Sequence, residues 1–382
     1  MHSFKISTPG KVILHGEHAV VYGKTALAGS LDLRTKVNFT ELPDESSDEI
    51  KVDFPGVDCS FVIKIGSLMD YFFTEGSLNE FDVDFRNKVQ EYVAKKITFN
   101  STAQLLSLEA FVYLLVYMTI KERIKLKPFH LHLTTQLTIR AGLGSSASFA
   151  VCLAACFLHW SYLQKGVERD FNHTDLEKIS AYAFRSEKIM HESPSGIDNS
   201  VCTYGSMIEY RAEEPIFMLQ VPKMKILLVD SKVSRNTKDQ VKRVEQLRKY
   251  YPTIIEPILH SIDGVSQMAR NVFKKMHETP ENDEDGWQSS YEELKTLIFI
   301  NQKLLSALTV SHPKLDTICA DAQNLFLAGK LTGAGGGGFA YILLPPHKKE
   351  EKNQEALTRI LKEKGFDVIE TVLGGEGVKI DK

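Results

Sequence analysis

The chain has 382 residues, 43% of them apolar, which is enough to bury substantial cores and longer than one domain usually runs, so two domains are expected. Its 46 Lys and Arg stand against 49 Asp and Glu, a formal charge of −3 with no basic excess to neutralise a nucleic-acid backbone, which argues against that class of partner. Five cysteines without a CxxC pair, and an N-terminus lacking a secretory apolar core, argue against a disulfide framework or zinc ribbon and for a reducing cytoplasm.

In chain order, 12–14 and 31–39 read as strands, the second alternating Leu31, Leu33, Thr35, Val37 and Phe39 on one face. HGEHAVVYGKTALAGS, at 15–30, is a polar, glycine-rich connection between them. Pro43, Pro55, Gly56 and several acids make 41–60 loops and short strands at the edge of the first domain. A helix follows at 101–124; its apolar run, 110–120, is about half of what a membrane span needs and reads as buried, so no membrane partner is expected. In the strand 129–139, His130 and His132 share a face without a third ligand at workable spacing, which reads as a solvated face. AGLGSSAS then leads into an almost wholly apolar helix, 149–163, where Cys152 and Cys156 read as core thiols.

Thr174 and Glu177 form a capping box opening a helix to about residue 191, where Pro194 and Gly196 turn the chain. A strand at 224–230 begins a new run, followed by helical patterns over 236–273, 287–310 and 313–328, the last closed by Gly329 at its C′ position. A glycine loop at 333–338, a strand at 339–344, a charged helix at 347–365 and a strand at 366–372 complete the chain. Without regular βαβ alternation this order predicts an α+β fold, divided near residue 222 into 1–222 and 223–382.

Three glycine-rich segments raise the question of phosphate binding. G333-A-G-G-G-G338 fits GxGxxG but precedes a short strand and two prolines instead of opening a helix in a βαβ unit. Gly16–Thr25 ends in Gly-Lys-Thr with two residues too many for a P-loop. At 142–147, by contrast, Gly142 and Gly144 let backbone approach an anion just where a buried helix begins, whose unpaired N–H groups and dipole favour phosphate. The competing reading is a serine N-cap on a core helix, which accounts for one serine but not for the paired glycines.

PGKVILHGEHAVVYG at 9–23, AGLGSSA at 141–147 and KLTGAGGGGF at 330–339 together resemble the three signature motifs of the GHMP small-molecule kinases, in order and spacing, over nearly the whole chain. Within that group SEKIMHESPSGIDN and DSKVSRNTK are most similar to the mevalonate kinases; galactokinases carry GEHTDY where this chain has Gly16-Glu17-His18-Ala19-Val20. One departure is Thr138, at a place where the second motif often has proline. The resemblance implies a two-domain α+β kinase, N-terminal ribosomal protein S5 domain 2-like and C-terminal ferredoxin-like, that uses ATP and Mg²⁺ to phosphorylate mevalonate. Phosphomevalonate kinase, homoserine kinase or a non-catalytic regulator of the same fold are the alternatives. It makes prenyl diphosphates candidate inhibitors and a homodimer a candidate assembly.

The same resemblance assigns roles. Arg140, Gly142, Leu143, Gly144, Ser145, Ser146 and Ala147, with Gly335 and Gly336, would hold ATP, and Glu187 with the Ser146 hydroxyl would bind Mg²⁺. Asp198 would accept or orient the proton of the attacking hydroxyl, with Lys11 as its counter-ion. Lys11, Glu17, His18, Ser195 and Thr237 would face the substrate. In isolation a helix-surface glutamate, a turn aspartate and a solvated lysine are the plainer readings; their joint placement in these motifs favours function.

Overall fold

The computed structural model describes residues 1–43, 48–73, 83–139, 141–190, 196–280, 282–346 and 351–382. A twelve-stranded sheet runs through the molecule; from its edge its main path takes Cys59–Lys64, Glu49–Phe54, Phe129–Thr135 and Ala26–Glu41. It then crosses into the second half through Asp367–Leu373, Met224–Asp230, Phe339–Leu343 and Ala328–Leu331. The crossing is narrow, a single antiparallel pair between Leu373 and Leu31. Ser3–His15 lies off this path, antiparallel to Ala26–Glu41, with a register shift between Pro9 and Gly10. The extra residues, Asp32 and Leu33, lie on Ala26–Glu41, opposite the step from Pro9 to Gly10 that leads into Lys11.

The predicted face of the long strand is present, since Leu31, Leu33, Thr35, Val37 and Phe39 are all buried. Thr102–Lys121 and Ser145–Gln164 are long and apolar enough to cross a membrane, but 72% and 78% of their most apolar windows are buried inside the fold, as in core helices. They bury Phe111, Leu115, Leu153 and Phe157 against strand residues such as Phe39 and Leu131. Ser101 starts the first of these helices by accepting from the Gln104 N–H at 3.2 Å. A second core lies under the other half, where Leu259, Ile262, Leu305 and Ile318 pack on Val229 and Ile342.

Three expectations need correction. The connection 15–30 ends early, because the strand already begins at Ala26 and its 26–31 stretch is buried. The pattern over 236–273 is two helices, Thr237–Tyr250 and Pro252–Glu278; Pro252 cannot donate within a continuing helix but fits the first turn of a new one. Gly329 caps nothing: the helix stops at Asn324, and Gly329 pairs with Ile342 in a strand, where a Cβ would lie 2.8 Å from the Ile342 side chain. His130 and His132 are partly exposed, and Asp53 on the neighbouring strand accepts from His130 Nε2 at 2.6 Å, so this face carries a side-chain hydrogen bond. Among the described residues no group of three or more His, Cys, Asp or Glu is arranged to hold a metal.

Candidate active site

The site is built around Lys11. Its backbone N–H donates to Leu143 O at 2.9 Å, which ties the strand Ser3–His15 to the glycine loop. Gly144, at a φ of 75°, packs on the lysine stem so closely that a Cβ there would lie 2.6 Å from Lys11 Cγ. The lysine Nζ then meets Asp198 Oδ1 at 2.8 Å, with Lys11 buried and the Asp198 side chain one-third exposed. Asp198 sits in the first turn of the short helix Ile197–Tyr204, so the cleft receives a carboxylate from one side and an ammonium from the other.

The helix Ser145–Gln164 begins beside this pair. Its N-cap is Gly144, which has no side chain to cap the first turn, so the serine N-cap reading fails. A buried helix with an uncapped N-terminus presents its first N–H groups and positive dipole end to an anion. Ser145 and Ser146 also line an apolar cavity with Phe54, Val57, Leu106, Ile139 and Phe149. Sequence reading did not find this cavity, because its walls come from four separate segments.

Glu187 is buried on the helix His173–Met190, and its carboxyl is pushed up to about 8, first by burial, then by the charge of Asp198, with Lys11 opposing both. Asn199 lies against it. With its amide nitrogen turned toward the carboxylate, Asn199 donates to Glu187, and its oxygen accepts from the Phe184 N–H at 2.7 Å. Asp198 and Lys11 both act on the Glu187 carboxyl, and a buried carboxyl beside a second carboxylate offers hard oxygens of the kind a dication takes.

Arg235, two residues before Thr237 in DSKVSRNTK, is a further cation of the site. Its guanidinium presses on Gly142, where a Cβ would collide with it, and donates from Nη1 to Thr332 O at 3.1 Å. Burial lowers its pKa from the ordinary value, while the Asp198 charge raises it. Arg235 therefore joins the glycine loop of the first half to the segment leading into 333–338, close to the acid pair. Thr237 lies exposed at the start of its helix, beyond Arg235.

Other expected residues sit differently. Glu17 does not face a ligand: its carboxylate is wholly buried, ion-paired with Lys330 and accepting from Asn301 Nδ2 at 3.1 Å. A buried carboxylate with a buried partner is fully committed. His18 is also buried, and its Nε2 donates to Ala334 O at 2.8 Å, leaving Nδ1 for any ligand. Gly335 and Gly336 do not open the loop to a triphosphate. A Cβ on Gly335 would collide with Val310 O, one on Gly336 with Gln240, and the Gly336 N–H already donates to Val310 O at 2.7 Å. Arg140 and Ser195 lie outside the described residues, as does His191.

The family described as GHMP kinases N terminal domain matches residues 110–206, and GHMP kinases C terminal matches 285–365. Human mevalonate kinase is 37% identical over 98% of this chain and 94% of its own length. Mevalonate kinase of Arabidopsis thaliana is 30% identical over 98% and 99%. Among solved structures, the Methanococcus jannaschii mevalonate kinase superposes with a TM-score of 0.67 at 23% identity, covering 97% of this chain and 98% of that one. The L. major mevalonate kinase in complex with R-mevalonate gives 0.66 at 19%, covering 98% and 96%.

Proposed function

Because the chain belongs to the mevalonate kinases of the GHMP kinase family, we propose that it transfers the γ-phosphoryl group of ATP to the 5-hydroxyl of (R)-mevalonate, giving 5-phosphomevalonate and ADP. The observation that carries this reading is the Lys11–Asp198 pair, 2.8 Å apart, at the uncapped N-terminus of a buried helix. Phosphoryl transfer needs a positioned alcohol, donors for the phosphates and a counter-charge to the group in flight. Asp198 accepts the hydroxyl proton, Lys11 orients Asp198 and neutralises charge at the reacting oxygen, and Arg235 faces the transferred group.

The phosphates rest on the N–H groups of the loop 142–147, and the adenine occupies the apolar cavity beside Ser145. Mg²⁺, when bound, neutralises charge on the β- and γ-phosphates. Glu187 and Ser146 would hold it, and Asn199 orients the Glu187 carboxylate. His18 through Nδ1, Thr237 and Ser195 are the proposed substrate contacts, whereas Glu17 is withdrawn from that set. The same cavity fits a prenyl chain whose diphosphate replaces that of ATP, so prenyl diphosphates are proposed to compete with ATP. Inhibition that stays constant at every ATP concentration would count against this.

Free cysteines at all five positions are consistent with the proposed cytoplasmic location. The test of function is a coupled ADP-release assay on purified protein with mevalonate, phosphomevalonate and homoserine in turn. Turnover is expected with mevalonate alone. Faster turnover with either other alcohol would move the substrate assignment, and no ADP release with any of them would favour a non-catalytic regulator.

A further inference from the structure

Residues 374–381 run along the first half in close backbone contact. After the strand Asp367–Leu373 the chain passes Ser30, whose O accepts from the Gly374 N–H at 3.0 Å, and ends in a short strand, Lys379–Asp381, antiparallel to residues 5–7 of Ser3–His15. On the way it grips the far end of the Asp198 helix. The Val378 N–H donates to Thr203 O at 3.1 Å, and the Ser206 N–H donates to Gly375 O at 2.8 Å. A Cβ on Gly377 would collide with Thr203 O and lie 2.6 Å from Tyr204 C, so only glycine permits this approach.

Arg34, buried in the long central strand, fastens the tail on its other side. Its Nη1 donates to Glu376 O at 3.0 Å, and its Nη2 donates to Gly377 O at 2.7 Å and to Ser7 O at 3.0 Å. Its Nε donates to Ser7 Oγ at 2.9 Å, which in turn donates to Asp381 Oδ1 at 2.7 Å. One guanidinium thus joins the tail to the strand that carries Lys11, while the tail itself holds the helix that carries Asp198. Thr203 stands five residues from Asp198, roughly 7.5 Å along an eight-residue helix that moves as a unit.

We propose that the C-terminal segment 374–381, riveted by Arg34 and Gly377, positions Asp198 against Lys11 by holding their two elements in one frame. This rests on the reading of Asp198 as proton acceptor. Arg34 and Gly377 are positioning residues and touch no substrate; they act through the placement of the pair.

The test uses full-length Gly377→Ala and Arg34→Lys, each in the native and the Asp198→Asn backgrounds, with kcat and the KM for ATP measured per folded enzyme. A lysine keeps the charge of Arg34 but lacks the planar fork that reaches several carbonyls. In the native background kcat is expected to fall about tenfold or more with the ATP KM within about twofold; in Asp198→Asn the same changes should cost less than about twofold, because the acceptor they position is gone. Equal losses in both backgrounds, a loss carried by KM, or no loss would overturn the proposal. Should Gly377→Ala not fold, Arg34→Lys decides alone, since it adds no atom to the crowded contact. Normal turnover by Asp198→Asn itself would instead overturn the acceptor reading, and the proposal with it.

Discussion

Glu187 shows how burial and charge write chemistry into one side chain. Its carboxyl is raised to about 8 by burial and by Asp198, so a carboxyl higher folded than unfolded stabilises the protein while protonated. That contribution is full below the ordinary carboxyl range, shrinks as pH rises from there toward about 8, and is gone above it. A bound dication favours the carboxylate and reverses the preference, releasing a proton on binding below that pH. We predict that this group lowers the thermal midpoint of metal-free protein as pH rises from the ordinary carboxyl range to about 8, with no further fall from it above, that Mg²⁺ restores the midpoint, and that Glu187→Gln abolishes both effects and slows Mg²⁺-dependent turnover. A midpoint that ignores Mg²⁺ at every pH would remove Glu187 from the metal site. Lys11 and Asp198 are singled out through the resemblance of the motifs that hold them, and Gly142 and Gly144 because paired glycines stand just before a buried apolar helix. Glu17 was misread because its partner, Lys330, is 313 residues away, and nothing local distinguishes an acid aimed at a ligand from one aimed at a buried lysine.

At the scale of elements, periodicity found the long helices and the central strand, since burial of one face imposes the pattern that the eye reads. It failed where one residue type serves two purposes. Pro252 opens a helix where a continuous pattern hid the break, and Gly329 gives room to a neighbouring strand where a cap was expected. The helix Ile65–Phe72 escaped for another reason: at eight residues it is too short to display its period. The closing strand Lys379–Asp381 is three residues long and is held by its partners, which no local signal announces. Asn199 could have been suspected from its place beside Asp198 in one helical turn. The apolar cavity could not, because long-range packing assembles it.

Across the whole molecule, the contacts between the two halves include the Leu31–Leu373 pair and the ion pair of Glu17 with Lys330, both of whose side chains are wholly buried. We propose the division between domains near residue 222, ahead of the strand Met224–Asp230, with the tail 374–381 returning to the first domain. Breaking a buried ion pair from one side leaves an uncompensated charge, so Lys330→Met should cost about 3–5 kcal/mol of stability in urea denaturation. Adding Glu17→Gln to it should recover part of that loss; a single variant as stable as the native chain would mean that the pair bears no charge. The cleft between these halves is where the account stands or falls, and steady-state kinetics of Asp198→Asn with ATP and mevalonate test it most directly. A lost general base predicts turnover lower by about 10²-fold or more with little change in the KM for ATP. Near-normal turnover with a collapsed affinity for mevalonate would make Asp198 a binding group and contradict the mechanism.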